Sequence, residues 1–138
     1  SDAQLLHARV ERAGVDPQFA RRAVYAFDLP GGRLAHTEDM RTLARLQKAR
    51  DFLTAQLRQI PGIETTLPPG AMYAFFRMHG LTDSLAFCKK LVTDAGLGLA
   101  PGIAFGPEGE GFVRWCFASS EERLAQGIER LRKALARR

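Results

Sequence analysis

Pro101-Gly102-Ile103-Ala104-Phe105-Gly106-Pro107-Glu108-Gly109-Glu110-Gly111-Phe112-Val113-Arg114-Trp115-Cys116-Phe117-Ala118 changes character halfway along. The first half is punctuated by glycine and proline and reads as a loop. From Phe112 onward the run is short, aromatic and β-prone, and it reads as a strand. Strand alternation puts Phe112, Arg114 and Cys116 on one face and Val113, Trp115 and Phe117 on the other. Arg114 is then a charge inside an apolar strand, which costs free energy unless something pairs with it. On the residues alone two readings stay open. Arg114 is a surface arginine laying its stem over an edge strand, or its planar fork faces a cleft and grips an anion such as a carboxylate.

Working outward, Ala71 to Met78 reads as a strand whose largely apolar composition implies cover on both faces. A short strand is expected around Ile63-Glu64-Thr65-Thr66, with Pro68-Pro69-Gly70 as the turn between them, and another from Leu97 to Ala100. Thr82 is expected to cap a helix that turns Leu85, Cys88, Leu91, Val92 and Ala95 inward and ends at Gly96. Ser119-Ser120-Glu121-Glu122 reads as a capping box opening a last helix, with Leu124, Ile128, Leu131 and Leu135 as its core stripe. A long helix from about Thr37 to Ile60 repeats Leu43, Leu46, Leu53, Leu57 and Ile60, and Pro61-Gly62 stops it. Upstream, Leu6, Val10 and Ala13 mark one helix and Phe19, Ala23 and Phe27 a second, the latter opened by Asp16-Pro17. The order predicts an α+β fold: a small, mainly antiparallel sheet packed against helices and preceded by a long helix. Residues 1–36 are expected to be a helical lead-in segment, either a divergent stretch or the end of a preceding domain, and 37–138 to be one domain.

A chain of 138 residues suits one domain, and 46% hydrophobic with 25% charged residues is the balance of a globular protein with a real core. No apolar run is long enough to span a bilayer, so no membrane partner is expected. The net charge of +5 and a pI near 9.8 raise nucleic-acid binding as a reading. The basic residues are interleaved with acids along helices, however, and no basic-aromatic alternation accompanies them. Those gathered at the end (Arg130, Arg132, Lys133, Arg137, Arg138) complement a helix C-terminus, so no nucleic-acid partner is expected. Cys88 and Cys116 read as free buried thiols of a cytoplasmic protein, with a disulfide between them left open. The first methionine is Met40, and the chain reads as processed or as an excised piece of a longer protein.

Few residues carry the pattern of a reactive centre. His7, His36 and His79 are far apart and have no metal-ligand or triad spacing. The acids show no paired motif for proton transfer. No phosphate-binding glycine motif stands at a strand-to-helix turn, and Glu108 and Glu110 would repel a phosphate at the one glycine-rich loop. Lys48, Lys89, Lys90 and Lys133 all fall on amphipathic helices, where a solvated face is the default and no nucleophile is implied.

The second half of the chain resembles the C-terminal small domain of class I/II (fold type I) pyridoxal-phosphate-dependent aminotransferases. The residues that carry this resemblance are Pro69-Gly70-Ala71-Met72-Tyr73-Ala74-Phe75, Leu91 to Ala100, Pro101-Gly102-Ile103-Ala104-Phe105-Gly106 and Val113-Arg114-Trp115-Cys116-Phe117-Ala118. Lys48 to Leu53, with Ile60-Pro61-Gly62, resembles the family's long helix. The resemblance implies that Arg114 binds the α-carboxylate of an amino-acid substrate and that Gly102, Phe105 and Gly106 form a loop near that site. It implies pyridoxal 5′-phosphate in the intact enzyme, amino-acid and 2-oxo-acid substrates, and a homodimer. The Schiff-base lysine and phosphate cup belong to a large domain that nothing here matches. No catalytic residue, cofactor-binding residue or metal ligand is therefore expected in this chain, and the chain alone is expected to hold no cofactor. Lyases, decarboxylases and synthases share the domain, and a standalone ligand-binding or regulatory α+β module is the rival reading.

Overall fold

In the computed structural model, residues 38–68 and 72–137 are described, with the backbone alone for 38–40. The two upstream helices expected from the sequence lie outside these residues. The first element, α1 (Glu38–Arg58), leads through Pro61-Gly62 into β1 (Ile63–Thr65). Then follow β2 (Tyr73–Met78), α2 (Ser84–Ala95) and β3 (Ala100–Pro101). Two 3-10 turns, Gly102–Phe105 and Pro107–Gly109, carry the chain to β4 (Phe112–Cys116), and α3 (Glu121–Ala136) closes it. The strands form one antiparallel sheet in the order β1-β2-β4-β3. This is the α+β arrangement expected from the order of elements.

The three helices lie on one face of the sheet because each offers one apolar stripe to it. α1 buries Ala49, Leu53, Leu57 and the following Ile60; α2 buries Phe87, Cys88 and Leu91; α3 buries Leu124, Ile128 and Leu131. Opposite them stand Ala74, Phe76 and Met78 of β2, with Val113 and Trp115 of β4. Phe76 and Phe117 are among the largest fully buried side chains, and each contributes on the order of 1.5–3 kcal/mol by leaving water. Among the described residues no helix is long and apolar enough to cross a membrane.

Several local expectations are corrected. Asp83, not Thr82, caps α2, its carboxylate accepting from the Ala86 N–H at 2.9 Å. The face of α2 that packs on the core runs through Ser84, Phe87, Cys88 and Leu91, so Leu85 and Val92 are exposed rather than inward. Leu43 is exposed as well, because the buried run of α1 begins only at Ala49. The third strand starts at Ala100 rather than Leu97. Gly96 ends α2 as expected, at φ 62° and with its N–H on Val92 O. Ser120, not Ser119, opens α3 by accepting from the Arg123 N–H at 3.3 Å, and with Arg123 rather than a glutamate at that position the expected capping box is replaced by a simple serine cap. β2 is covered on one face only: Ala74, Phe76 and Met78 are buried, while Tyr73, Phe75 and Arg77 are half-exposed.

Cys88 and Cys116 form no disulfide. Cys116 is exposed rather than buried, since it ends β4 on the open face. Burial and the nearby Glu110 charge push the Cys88 thiol up to about 11, so it carries almost no thiolate at neutral pH. A maleimide or disulfide probe is expected to label Cys116 in the folded chain and Cys88 only after unfolding. Equal labelling of both in native buffer would place Cys88 outside the core.

Gly127 lets α3 lie directly on Trp115: a Cβ there would stand 2.5 Å from Trp115 Cζ2. Gly127→Ala gains about 1 kcal/mol of helix propensity, but overpacking costs about 1–3 kcal/mol. The variant is expected to unfold at lower urea, and a raised midpoint would mean that α3 and Trp115 are less closely packed.

Candidate carboxylate-binding site

The open face of the sheet is built by register. Phe75 pairs with Arg114, Tyr73 with Cys116 and Arg77 with Phe112, so all six side chains share the face away from the helices. Ala100 of β3 pairs with Arg114 from the other side. β4 is thus an interior strand, which removes the edge-strand reading of Arg114. The arginine is half-buried, and its guanidinium carbon lies 4.2 Å from the Tyr73 ring centroid and 4.4 Å from that of Phe105. Each such contact is worth on the order of 0.5–2 kcal/mol. Phe75 supports the group, stacking on Phe112 at 4.9 Å and meeting Phe105 edge-on at 6.2 Å.

The partner that a charge in an apolar strand requires is therefore aromatic. No hydrogen bond or ion pair with another described residue reaches the Arg114 guanidinium. Ring contacts stabilise the cation without using any of its five N–H donors. A half-buried guanidinium with free donors on a partly apolar surface is suited to accept a carboxylate in a bidentate, charge-assisted pair.

The glycine-rich segment is ordered into the two 3-10 turns rather than left as an open loop. Gly102 is glycine because a Cβ there would stand 2.0 Å from Gly109 O and 2.6 Å from Phe112 O. Gly106, at φ 129°, links the turns and donates to Ile103 O. Of the three residues expected near the site, Phe105 touches Arg114, while Gly102 and Gly106 shape the turn that carries it. Sequence reasoning passed over Tyr73, whose approach to Arg114 depends on a register that only the folded pairing supplies.

It also passed over Glu110. One Glu110 carboxylate oxygen accepts from the Ser84 N–H at 2.7 Å and from the Gly111 N–H at 3.0 Å. The fully buried Ser84 hydroxyl accepts from the Ile103 N–H at 3.3 Å. Desolvation pushes the Glu110 carboxyl up and Asp83 adds to that, but the hydrogen bonds from Gly111 and Ser84 outweigh both and hold it below the ordinary carboxylate value.

Pyridoxal phosphate requires a lysine in the site and donors gathered around its phosphate. All four lysines of the chain (Lys48, Lys89, Lys90 and Lys133) are exposed on helices, away from the face of Arg114. The described residues therefore do not fit the cofactor. His79 pairs with Glu64 at 2.9 Å on the surface, and among the described residues no cluster of His, Cys, Asp or Glu could hold a metal ion. Two grooves lie elsewhere. One of about 550 Å³ runs between α2 and α3 past Lys90 and Arg130, and one of about 560 Å³ runs between Leu46 and Phe117.

No protein-family model matches the chain. Known proteins do match it. An aspartate aminotransferase of Pyrococcus horikoshii is 38% identical over 87 residues, covering 62% of this chain and 22% of that protein. A probable N-acetyl-LL-diaminopimelate aminotransferase of Bacillus subtilis is 42% identical over the same length, with the same two coverages. The solved structure of an alanine aminotransferase from Pyrococcus furiosus superposes with a TM-score of 0.68 at 29% identity, over 72% of this chain and 26% of that one. The chain thus spans about a quarter of the length of the enzymes it matches. Over that part it is similar to proteins named as aminotransferases, among them a PLP-dependent aminotransferase from Streptococcus suis.

Proposed function

We propose that this chain is the C-terminal small-domain part of a pyridoxal-phosphate-dependent aminotransferase and that Arg114 binds the α-carboxylate of its amino-acid and 2-oxo-acid substrates. The observation that carries the reading is the half-buried Arg114 guanidinium, held by Tyr73 and Phe105 with its donors free of other described residues. Similarity to aminotransferases named for different amino acids supports the class while leaving the substrate side chain open.

The cofactor, which supplies the amino-group chemistry when bound, belongs in this reading to a domain this chain lacks. The contribution of the chain is recognition and closure. Two parallel N–H bonds from Arg114 orient the carboxylate and thereby the rest of the substrate. As the sheet face closes over the substrate it excludes water, which strengthens that pair. The intact enzyme is a cytoplasmic homodimer in this reading, and the isolated chain neither retains pyridoxal phosphate nor transaminates. Cofactor absorbance surviving gel filtration of the chain alone would overturn that part. Amino-acid binding by the chain alone in calorimetry would favour a self-sufficient ligand-binding module instead.

In the longer enzyme that this reading requires, Arg114→Ala is expected to lower kcat/KM for amino acids about 100-fold or more, mainly through KM, because a charge-assisted bidentate pair is lost. Arg114→Lys keeps the charge but not the fork and is expected to fall between the two. An unchanged kcat/KM in Arg114→Ala would remove the residue from the site.

A further inference from the structure

Three separate segments meet at one carboxylate. Glu110 stands directly before the strand that carries Arg114, and its oxygen holds the Gly111 N–H at the entrance to β4. The same oxygen holds the N–H of Ser84, the first residue of α2. The Ser84 hydroxyl in turn accepts from the N–H of Ile103 within the turn Gly102–Phe105. Two residues further along that turn, the Phe105 ring lies against the Arg114 guanidinium.

Helix capping alone does not account for this arrangement. Asp83 already caps α2 through the Ala86 N–H, and a second carboxylate at the same helix start is opposed by Asp83's charge. Ser84 is wholly buried, so the link from Glu110 to the turn runs through a side chain with little freedom to move. Gly102, closed in by the Gly109 and Phe112 backbones, seats the turn directly against the start of β4.

We propose that Glu110 is a positioning residue for carboxylate recognition: acting through Ser84 and the 102–105 turn, it holds Phe105 on the Arg114 guanidinium and so sets the direction of the arginine's N–H fork. The geometric claim stands on the contacts above. Its consequence for substrate affinity rests on the reading of Arg114 as the carboxylate ligand.

The test reads Arg114 directly. In the ¹⁵N-labelled 138-residue chain, the Arg114 Nε–Hε resonance carries the ring-current shift of Tyr73 and Phe105, and Phe105→Ala defines its position without the second ring. Glu110→Ala is expected to move the resonance most of the way to the Phe105→Ala position. Glu110→Gln keeps an oxygen able to accept both N–H groups and is expected to restore the native position. Asp83→Ala weakens the helix cap and should lower stability while leaving the Arg114 resonance in place. A folded Glu110→Ala chain with a native Arg114 resonance overturns the proposal, as does an equal displacement in Asp83→Ala. Should Glu110→Ala fail to fold, Ser84→Ala takes its place: it keeps the backbone bond to Glu110 and severs only the link to Ile103. A native resonance in Ser84→Ala overturns the proposal equally.

In the longer enzyme, Glu110→Ala is expected to raise KM about tenfold with kcat little changed. A displaced resonance with an unchanged KM would leave the positioning intact and count against the carboxylate role of Arg114, which the Arg114→Ala kinetics judge separately.

Discussion

The pairing of β2 with β4 is the constraint from which both faces of the sheet follow. Phe75 opposite Arg114 and Ala74 opposite Trp115 put Phe76, Met78, Val113 and Trp115 toward the helices and the arginine with its rings toward the open side. A slip of one residue would exchange the faces, burying the guanidinium under α3 and exposing Trp115 and Val113. The helical side holds that register most firmly, because Trp115 fits against Gly127 with no room for a single extra carbon. The core therefore fixes where the charge on the other face must stand.

Elements whose signals are local could be read from the chain before folding. Leu124, Ile128 and Leu131 repeat at helical spacing, Gly96 supplies the left-handed residue that ends α2, and alternation through Val113, Trp115 and Phe117 shows which face is buried. Errors arose where neighbours in space decide. Thr82 and Asp83 both have cap chemistry, and the packing of Phe87 and Leu91 against the core, which no local signal supplies, left Leu85 and Val92 in solvent. The apolar composition of β2 implied two covered faces, whereas Tyr73 and Phe75 are apolar because they flank a guanidinium on the open one.

The site divides along the same line. Arg114 stood out because a lone charge in an aromatic strand is anomalous within a short window of sequence. Tyr73 lies about forty positions away and meets it only through the strand pairing. Glu110 looked like a repulsive charge in a glycine-rich loop, and nothing local relates it to Ser84, 26 positions earlier. Sequence thus pointed to the group that would touch a ligand and left unseen the groups that hold it.

Aromatic support in place of an acid has a consequence for the proposed carboxylate role. Were Arg114 paired with an aspartate or glutamate of its own sheet, a substrate carboxylate would have to displace that partner, and the orphaned acid would then repel it. The π faces of Tyr73 and Phe105 offset part of the cost of keeping the cation half-buried, yet occupy no N–H donor and carry no negative charge. Glu110, the carboxylate to which the proposal gives a positioning role, stands at a distance with its own charge engaged by the Ser84 and Gly111 N–H groups. A fork poised by neutral contacts remains free for an incoming anion, and among the described residues no acid pairs with it as a competing charge.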